Sequence, residues 1–215
     1  MVREVVAAKV ELAVNPRTTA LDLVGRVNRA TGQREGGFVG LTTKQAQWVL
    51  NAEAQLRNLD PAYFQRELRD KRFDRRIMKA IREGKPLSAA DIATITARYR
   101  ARLLDHRGEA IARTESLNAL RAGRHEGYRQ LVESGKVRED QIERTWDATG
   151  DRRTRFDHAV MDGKSVTGLS MPFVMPDGSL MMHPGDASLG ARAGQVINCR
   201  CFEKIRIKYD KPVWG

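Results

Sequence analysis

The sequence predicts an α+β fold: a helical first two thirds followed by a small C-terminal α+β domain with a β-hairpin. Three observations carry this reading. Apolar residues recur at three- to five-residue steps from Ala46 to the neighbourhood of Glu133, the spacing of amphipathic helices. After Gly135 short alternating runs broken by Gly and Pro take over, the grammar of strands and turns. Charge divides in the same way: residues 57–130 carry 18 Lys/Arg against 10 acids, whereas residues 131–215 carry 13 against 12, within a net charge of +11. The expected organisation is a lead-in or tether over 1–40, a helical domain over 41–135 and the small α+β domain over 136–215.

In order along the chain, a helical turn or two precedes Pro16, a helix covers Thr19 to Ala30 through Leu21, Val24 and Val27, and a glycine-rich break follows at Gly32 and Gly36-Gly37. Thr42 or Thr43 caps a helix to about Asn58, with Val49, Leu50, Ala54 and Leu56 as its apolar stripe. Asp60-Pro61 opens a basic amphipathic helix over 62–83, on Phe64, Leu68, Phe73, Ile77 and Ile81, which Gly84 closes. Ser88 caps a helix to about His106, and another runs from Glu109 to Glu133. Beyond Gly135 the pattern gives a strand over 141–146 and a short helix from Thr149-Gly150-Asp151 to Met161. A hairpin turns on Pro176-Asp177-Gly178, and a last strand has Cys201, Glu203, Ile205, Ile207 and Tyr209 on one face.

Composition removes several function classes. With 41% hydrophobic residues the chain can bury a core, so disorder is not expected. No stretch approaches the roughly 18 apolar residues of a membrane span, and Glu4 and Lys9 interrupt any secretory apolar run. The only cysteines, Cys199 and Cys201, are too close in sequence for an ordinary disulfide, so a reducing cytosol is the expected compartment. There is no P-loop, no Gly-x-Ser-x-Gly elbow and no His-Glu-x-x-His helix, so the common NTPase, hydrolase and metalloprotease classes lose their support.

The basic excess points to nucleic acid. In Arg66 to Arg82 eight cations face three acids, and Arg72, Arg75, Arg76, Lys79 and Arg82 are the candidate phosphate contacts, gripping DNA without reading its sequence. The alternative is a solvated helix face paired internally by Glu67, Asp70 and Asp74. Arg113 and Glu115, two residues apart on a helix, cannot face each other, so one of them is expected to pair with another helix or with the C-terminal domain.

Three readings of the C-terminal reactive residues stand side by side. Cys199 and Cys201 are two small buried thiols beside a turn; or they join His158 and His183 in a tetrahedral structural zinc site; or His158 and His183 act as general acid and base of a phosphodiester-cleaving enzyme, with Arg155 holding phosphate.

The motifs in their order also resemble a known family. Arg72-Phe73-Asp74-Arg75 and the run from Ala80 to Leu87 are followed by Ile111-Ala112-Arg113-Thr114-Glu115 and by Trp146 through Gly150-Asp151 to Arg155, His158 and Asp162-Gly163. Pro184-Gly185-Asp186 and Asn198-Cys199-Arg200-Cys201 complete the series, and over about 41–205 the chain resembles the head-morphogenesis family of tailed bacteriophages, the Mu F-like minor head proteins. The resemblance implies a virion component present in few copies at the portal or the inside of the head. Such a protein is assembled in the host cytoplasm and acts in head assembly and in DNA packaging or delivery. Its partners would be portal and capsid proteins and phage DNA, with no membrane, no enzyme activity and no cofactor unless the zinc set is real. The family motif falls on Arg113, Thr114, Glu115, Trp146, Asp151, Arg155, His158, Gly163, Asn198, Cys199 and Cys201, for which the family assigns no chemical role.

Overall fold

The computed structural model describes residues 1–31 and 34–209, so Gly32 of the expected break lies outside the described residues. Helix α1 spans Val2–Glu11 and α2 Pro16–Val24, which Gly25 ends with φ +83°. A two-residue ribbon follows, β1 (Arg26–Val27) against β2 (Arg34–Glu35), and then α3 (Thr43–Arg57). Thr42 caps α3 as expected: its hydroxyl accepts from the Gln45 amide while the Gln45 side chain accepts from the Thr42 N–H.

The continuous helix expected over 62–83 is instead two 3₁₀ turns, Pro61–Gln65 and Lys71–Phe73, leading into α4 (Asp74–Glu83). Side chains break it by capturing the backbone and each other. Asp60 accepts from the Ala62 N–H and Asp70 from the Arg72 N–H, each starting a new turn. Arg66 donates to Gln55 and to the Tyr99 hydroxyl, and Arg69 forks onto Asp74. Two arginines of the presumed outer face are thus internal braces. Gly84, at φ +62°, ends α4 as its position predicts.

The two helices expected on either side of residue 108 are one, α5 (Ala89–Glu133), with the Ser88 hydroxyl accepting from the Asp91 N–H at its start. Gly108 does not break the helix because its missing side chain lets α2 come close: a Cβ there would lie 2.7 Å from Val24 Cγ1. Beyond α5 come β3 (Ile142–Asp147), α6 (Phe156–Val160), β4 (Ser165–Thr167), β5 (Phe173–Val174), β6 (Leu180–Met181), α7 (Ala193–Val196) and β7 (Phe202–Ile207). Strand β3 is central in an antiparallel sheet of order β4-β3-β7, and β5-β6 is the expected hairpin.

Packing divides the chain into a unit of residues 17–109 and a unit of residues 1–16 with 110–215. The division falls inside α5 rather than at Gly135, because Ala112, Thr114, Ser116 and Arg121 on its second half are buried in the unit that contains the sheet. Nor are the first forty residues a simple tether: Val6 of α1 is buried in one unit, and Thr19, Ala20, Leu23 and Val24 in the other.

The core of the 17–109 unit is Ala52, Leu56, Tyr63, Ile77, Ile92, Ile95, Tyr99 and Leu103. Beside it Asp70 is buried and accepts from Arg72 Nε (3.0 Å) and Nη2 (2.6 Å), with Arg102 at 3.4 Å. The Arg72 hydrogen bond leads in holding its carboxyl down at about 2. A depressed acid stabilises the fold above its unfolded value and loses that contribution as pH falls through the folded one. Asp70→Asn is therefore expected to cost about 1–2 kcal/mol at pH 7, limited by the water around Arg72. The difference from the parent protein should shrink between pH 4 and pH 2 in urea titrations of both.

No helix among the described residues is long and apolar enough to cross a membrane.

Candidate functional site

In the unit built around β3, alternation along that strand sends Ile142, Arg144 and Trp146 inward. Trp146 is fully buried and lies among Met161, Phe173, Met175, Met181, Val196, Cys199 and Cys201. Its ring meets Phe173 and His158 edge-on, with centroids 5.4 Å and 5.5 Å away.

His158 stands on α6, whose first turn is held by a loop that Asp151 organises. The Asp151 carboxylate accepts from the Arg153 N–H and forms a two-pronged pair with Arg200, both bonds 2.6 Å. Arg200 pulls the Asp151 carboxyl well below the ordinary range. That local capture explains why the helix expected from Thr149 begins only at Phe156.

The imidazole is buried and both nitrogens are engaged. Nε2 lies 2.9 Å from Gln195 Oε1, and Gln195 Nε2 donates to Asp157 at 2.6 Å. The same amide draws down the Asp177 carboxyl in the hairpin turn. Because the carboxylate takes the amide hydrogen, the Gln195 oxygen faces His158 and must accept from Nε2–H. In the neutral imidazole this leaves Nδ1 as a bare lone pair. Nδ1 is 3.1 Å from Cys201 Sγ and 3.7 Å from Cys199 Sγ.

The two sulfurs sit together because Asn198 takes a left-handed turn (φ +54°) and α5 clamps the segment. The Asn198 N–H donates to Thr114 Oγ1 at 2.9 Å, and Arg121 Nη2 donates to the carbonyls of Cys199 (2.9 Å) and Cys201 (2.6 Å). Arg155 donates to the Ile197 carbonyl, closing the loop from the other side. A hydrogen bond from Cys201 brings the Cys199 thiol down to about 7 against the opposing effect of burial, whereas Cys201, the donor, is pushed up to about 12.

A cavity of about 240 Å³ adjoins this cluster, lined by Arg113, Arg153, Arg155, Arg200, His158 and Cys201, and also by Asn198, whose buried side-chain oxygen has no hydrogen-bond partner among the described residues.

The structure thus gathers most of the motif residues at one place. Glu115 stands apart, 3.4 Å from Arg3 of α1 in an ion pair between helices. His183 is not brought to His158: its buried ring lies 6.0 Å from that of His125, and its Nδ1 contacts the Pro184 carbonyl at 3.3 Å. Neither the four-ligand set containing both histidines nor a two-histidine acid–base pair is assembled. The group of ligand atoms that does converge is His158, Cys199 and Cys201, all within 4.8 Å of one another. Sequence reasoning missed Gln195 and Arg121 and gave Asp157 no role, though all three help to hold this group in place; neither Gln195 nor Arg121 lies in a recognisable spacing with the residue it serves.

In the other unit, α4 turns Ile77 and Ala80 inward and leaves Arg75, Arg76, Lys79 and Arg82 exposed, as is Arg72 on the 3₁₀ turn before it. Arg72 pairs with Asp70, Arg76 with Asp91, and Arg82 lies 3.9 Å from Glu83, while Arg75 and Lys79 make no ion pair among the described residues.

No curated protein and no solved structure matches the chain. The sequence profile of the family described as phage Mu protein F like protein matches residues 71–203, from the second 3₁₀ turn into β7. That match takes in well over half of the chain and includes α4, the α5 clamp and the whole cysteine–histidine cluster, so the protein belongs to the phage Mu protein F-like family.

Proposed function

We propose that this phage head-morphogenesis protein is a minor structural component of the virion, bound to portal or capsid proteins at the portal or inside the head. In this reading it contacts packaged DNA through α4 without reading sequence. The family supports the head-morphogenesis role. The observation that supports DNA contact is the run of exposed cations formed by Arg75, Arg76, Lys79 and Arg82 of α4, whose Ile77 and Ala80 are buried, with Arg72 on the 3₁₀ turn before it. Phosphate contact without base readout suits a genome of arbitrary sequence. The role is non-enzymatic.

The salt dependence of duplex binding tests it. Each phosphate neutralised contributes about −0.9 to the slope of log K against log salt, so five contacts predict a slope of about −4.5. Arg75→Ala with Lys79→Ala, the two cations free of ion pairs, should flatten the slope by about 2. Reversing all five charges should abolish binding near physiological salt. A slope unchanged by either set would remove DNA from the reading and leave the positive charge to acidic protein partners.

A further inference from the structure

We propose that His158, Cys199 and Cys201 bind a zinc ion through Nδ1 and two thiolates, with the fourth position open to the arginine-lined cavity. This rests on the cluster alone and is independent of how α4 is used. Three softer donors converge in a buried place. Separations of 3.1 Å and 3.7 Å between Nδ1 and the sulfurs are close to the ligand–ligand edges of a zinc tetrahedron, whose bonds are about 2.0–2.1 Å to nitrogen and 2.3 Å to sulfur.

The second observation is the chain from Asp157 through the Gln195 amide to His158 Nε2. It fixes the tautomer that presents Nδ1 unprotonated, and a hydrogen bond from the distal nitrogen of a metal-ligating histidine to a fixed acceptor is what such sites use to orient the ring. Arg121 and Thr114 fix the backbone of the cysteine segment independently, so ligand positions do not depend on the ion. Two thiols lose their protons to solvent on binding, and two thiolates neutralise the divalent ion.

Three protein ligands leave one position for a water or an anion. His158 and Cys201 border the cavity where Arg113, Arg153, Arg155 and Arg200 gather positive charge, and where the Asn198 oxygen lacks a donor. A metal-bound water is such a donor, and the guanidinium groups favour an anion in its place.

The test uses the full chain, produced with zinc in the medium and purified without chelator. One zinc per chain is expected. Cobalt exchanged for it should give the intense thiolate charge-transfer bands and visible bands of a tetrahedral site, and inorganic phosphate or azide should shift them. Cys199→Ser, Cys201→Ser and His158→Gln should each abolish the spectrum, while His183→Gln leaves it intact. Gln195→Ala removes only the orienting hydrogen bond and should weaken zinc binding about 10- to 100-fold in chelator competition. Circular dichroism on each variant separates loss of metal from loss of fold. A folded parent chain without zinc and without thiolate–cobalt absorption would overturn the proposal. So would an unchanged affinity in Gln195→Ala, or loss of metal in His183→Gln. Bands indifferent to added anions would overturn the open fourth position.

Discussion

Arg144→Ala should be the most damaging single substitution in the unit of the three-stranded sheet, costing about 3–5 kcal/mol in urea or guanidinium unfolding. Arg144 is fully buried, an unusual place for a guanidinium, and each of its three nitrogens donates to another chain segment. Nε donates to the Gly168 carbonyl at 2.7 Å, while the terminal nitrogens reach the carbonyls of Met171 and Met182 and, at 3.4 Å, the Glu203 carboxylate. The group also lies over the Phe173 ring at 5.3 Å. One side chain on β3 thus gathers the loop after β4, the end of the β5-β6 hairpin and β7. Truncation strands three carbonyls and leaves Glu203 as an unpaired buried acid. Arg144→Lys should recover little, since an ammonium cannot fork in this way.

The pH dependence identifies the cause. Burial raises the Glu203 carboxyl despite Arg144, and without Arg144 that rise becomes larger. A raised acid destabilises the fold as pH climbs from the unfolded value through the folded one, so the penalty of Arg144→Ala should be greatest at neutral pH and shrink in acid. The double change Arg144→Met with Glu203→Leu should regain much of the stability lost by Arg144→Met alone. A penalty that is independent of pH and not relieved in the double variant would mean that Glu203 does not matter.

Trp146→Ala is expected to cost about 3–5 kcal/mol by opening a cavity beneath His158 and Phe173. Trp146→Phe separates packing from polarity. The indole nitrogen is buried without a hydrogen-bond partner, so removing it gives up no bond and relieves an unsatisfied donor. The phenylalanine variant should therefore lose about 1–2 kcal/mol, for volume alone. Equal losses in the two variants would show that the indole N–H is satisfied in solution.

Elements announced by local chemistry were legible in the sequence. Thr42, Gly84, Ser88 and the Pro176-Asp177-Gly178 turn act within a few residues of themselves and mark the helix ends and the hairpin they were read to mark, and Gly135 follows the end of α5 although the boundary between the units lies elsewhere. The inward face of β7 was legible too, for Cys201 and Glu203 are buried on alternate residues. What failed was long-range. The long helix was divided between His106 and Glu109 because nothing nearby says that Val24 approaches Gly108, and Arg66 looked solvated because Gln55 and Tyr99 lie elsewhere in the sequence. Alternation with Ile142 and Trp146 puts Arg144 on the inward face, but the distant carbonyls that satisfy it there cannot be read from the sequence. In the candidate site the motif supplied His158 and both cysteines, but that His183 stands apart from them needed three-dimensional proximity.

The two units differ in how they are written along the chain, and this sets an order of events during synthesis. Residues 17–109 form one uninterrupted stretch, so everything that core needs has left the ribosome once residue 109 has. The other unit cannot close until Ile142 can pair with Ile207 and Arg121 can reach the Cys199 and Cys201 carbonyls, nearly 80 residues away. Until then α1 waits for partners that are made long after it. A chain cut just after Cys201, which carries both thiols but lacks β7, should therefore show a protease-resistant 17–109 core beside cysteines that label freely, whereas the full chain should bury both thiols together.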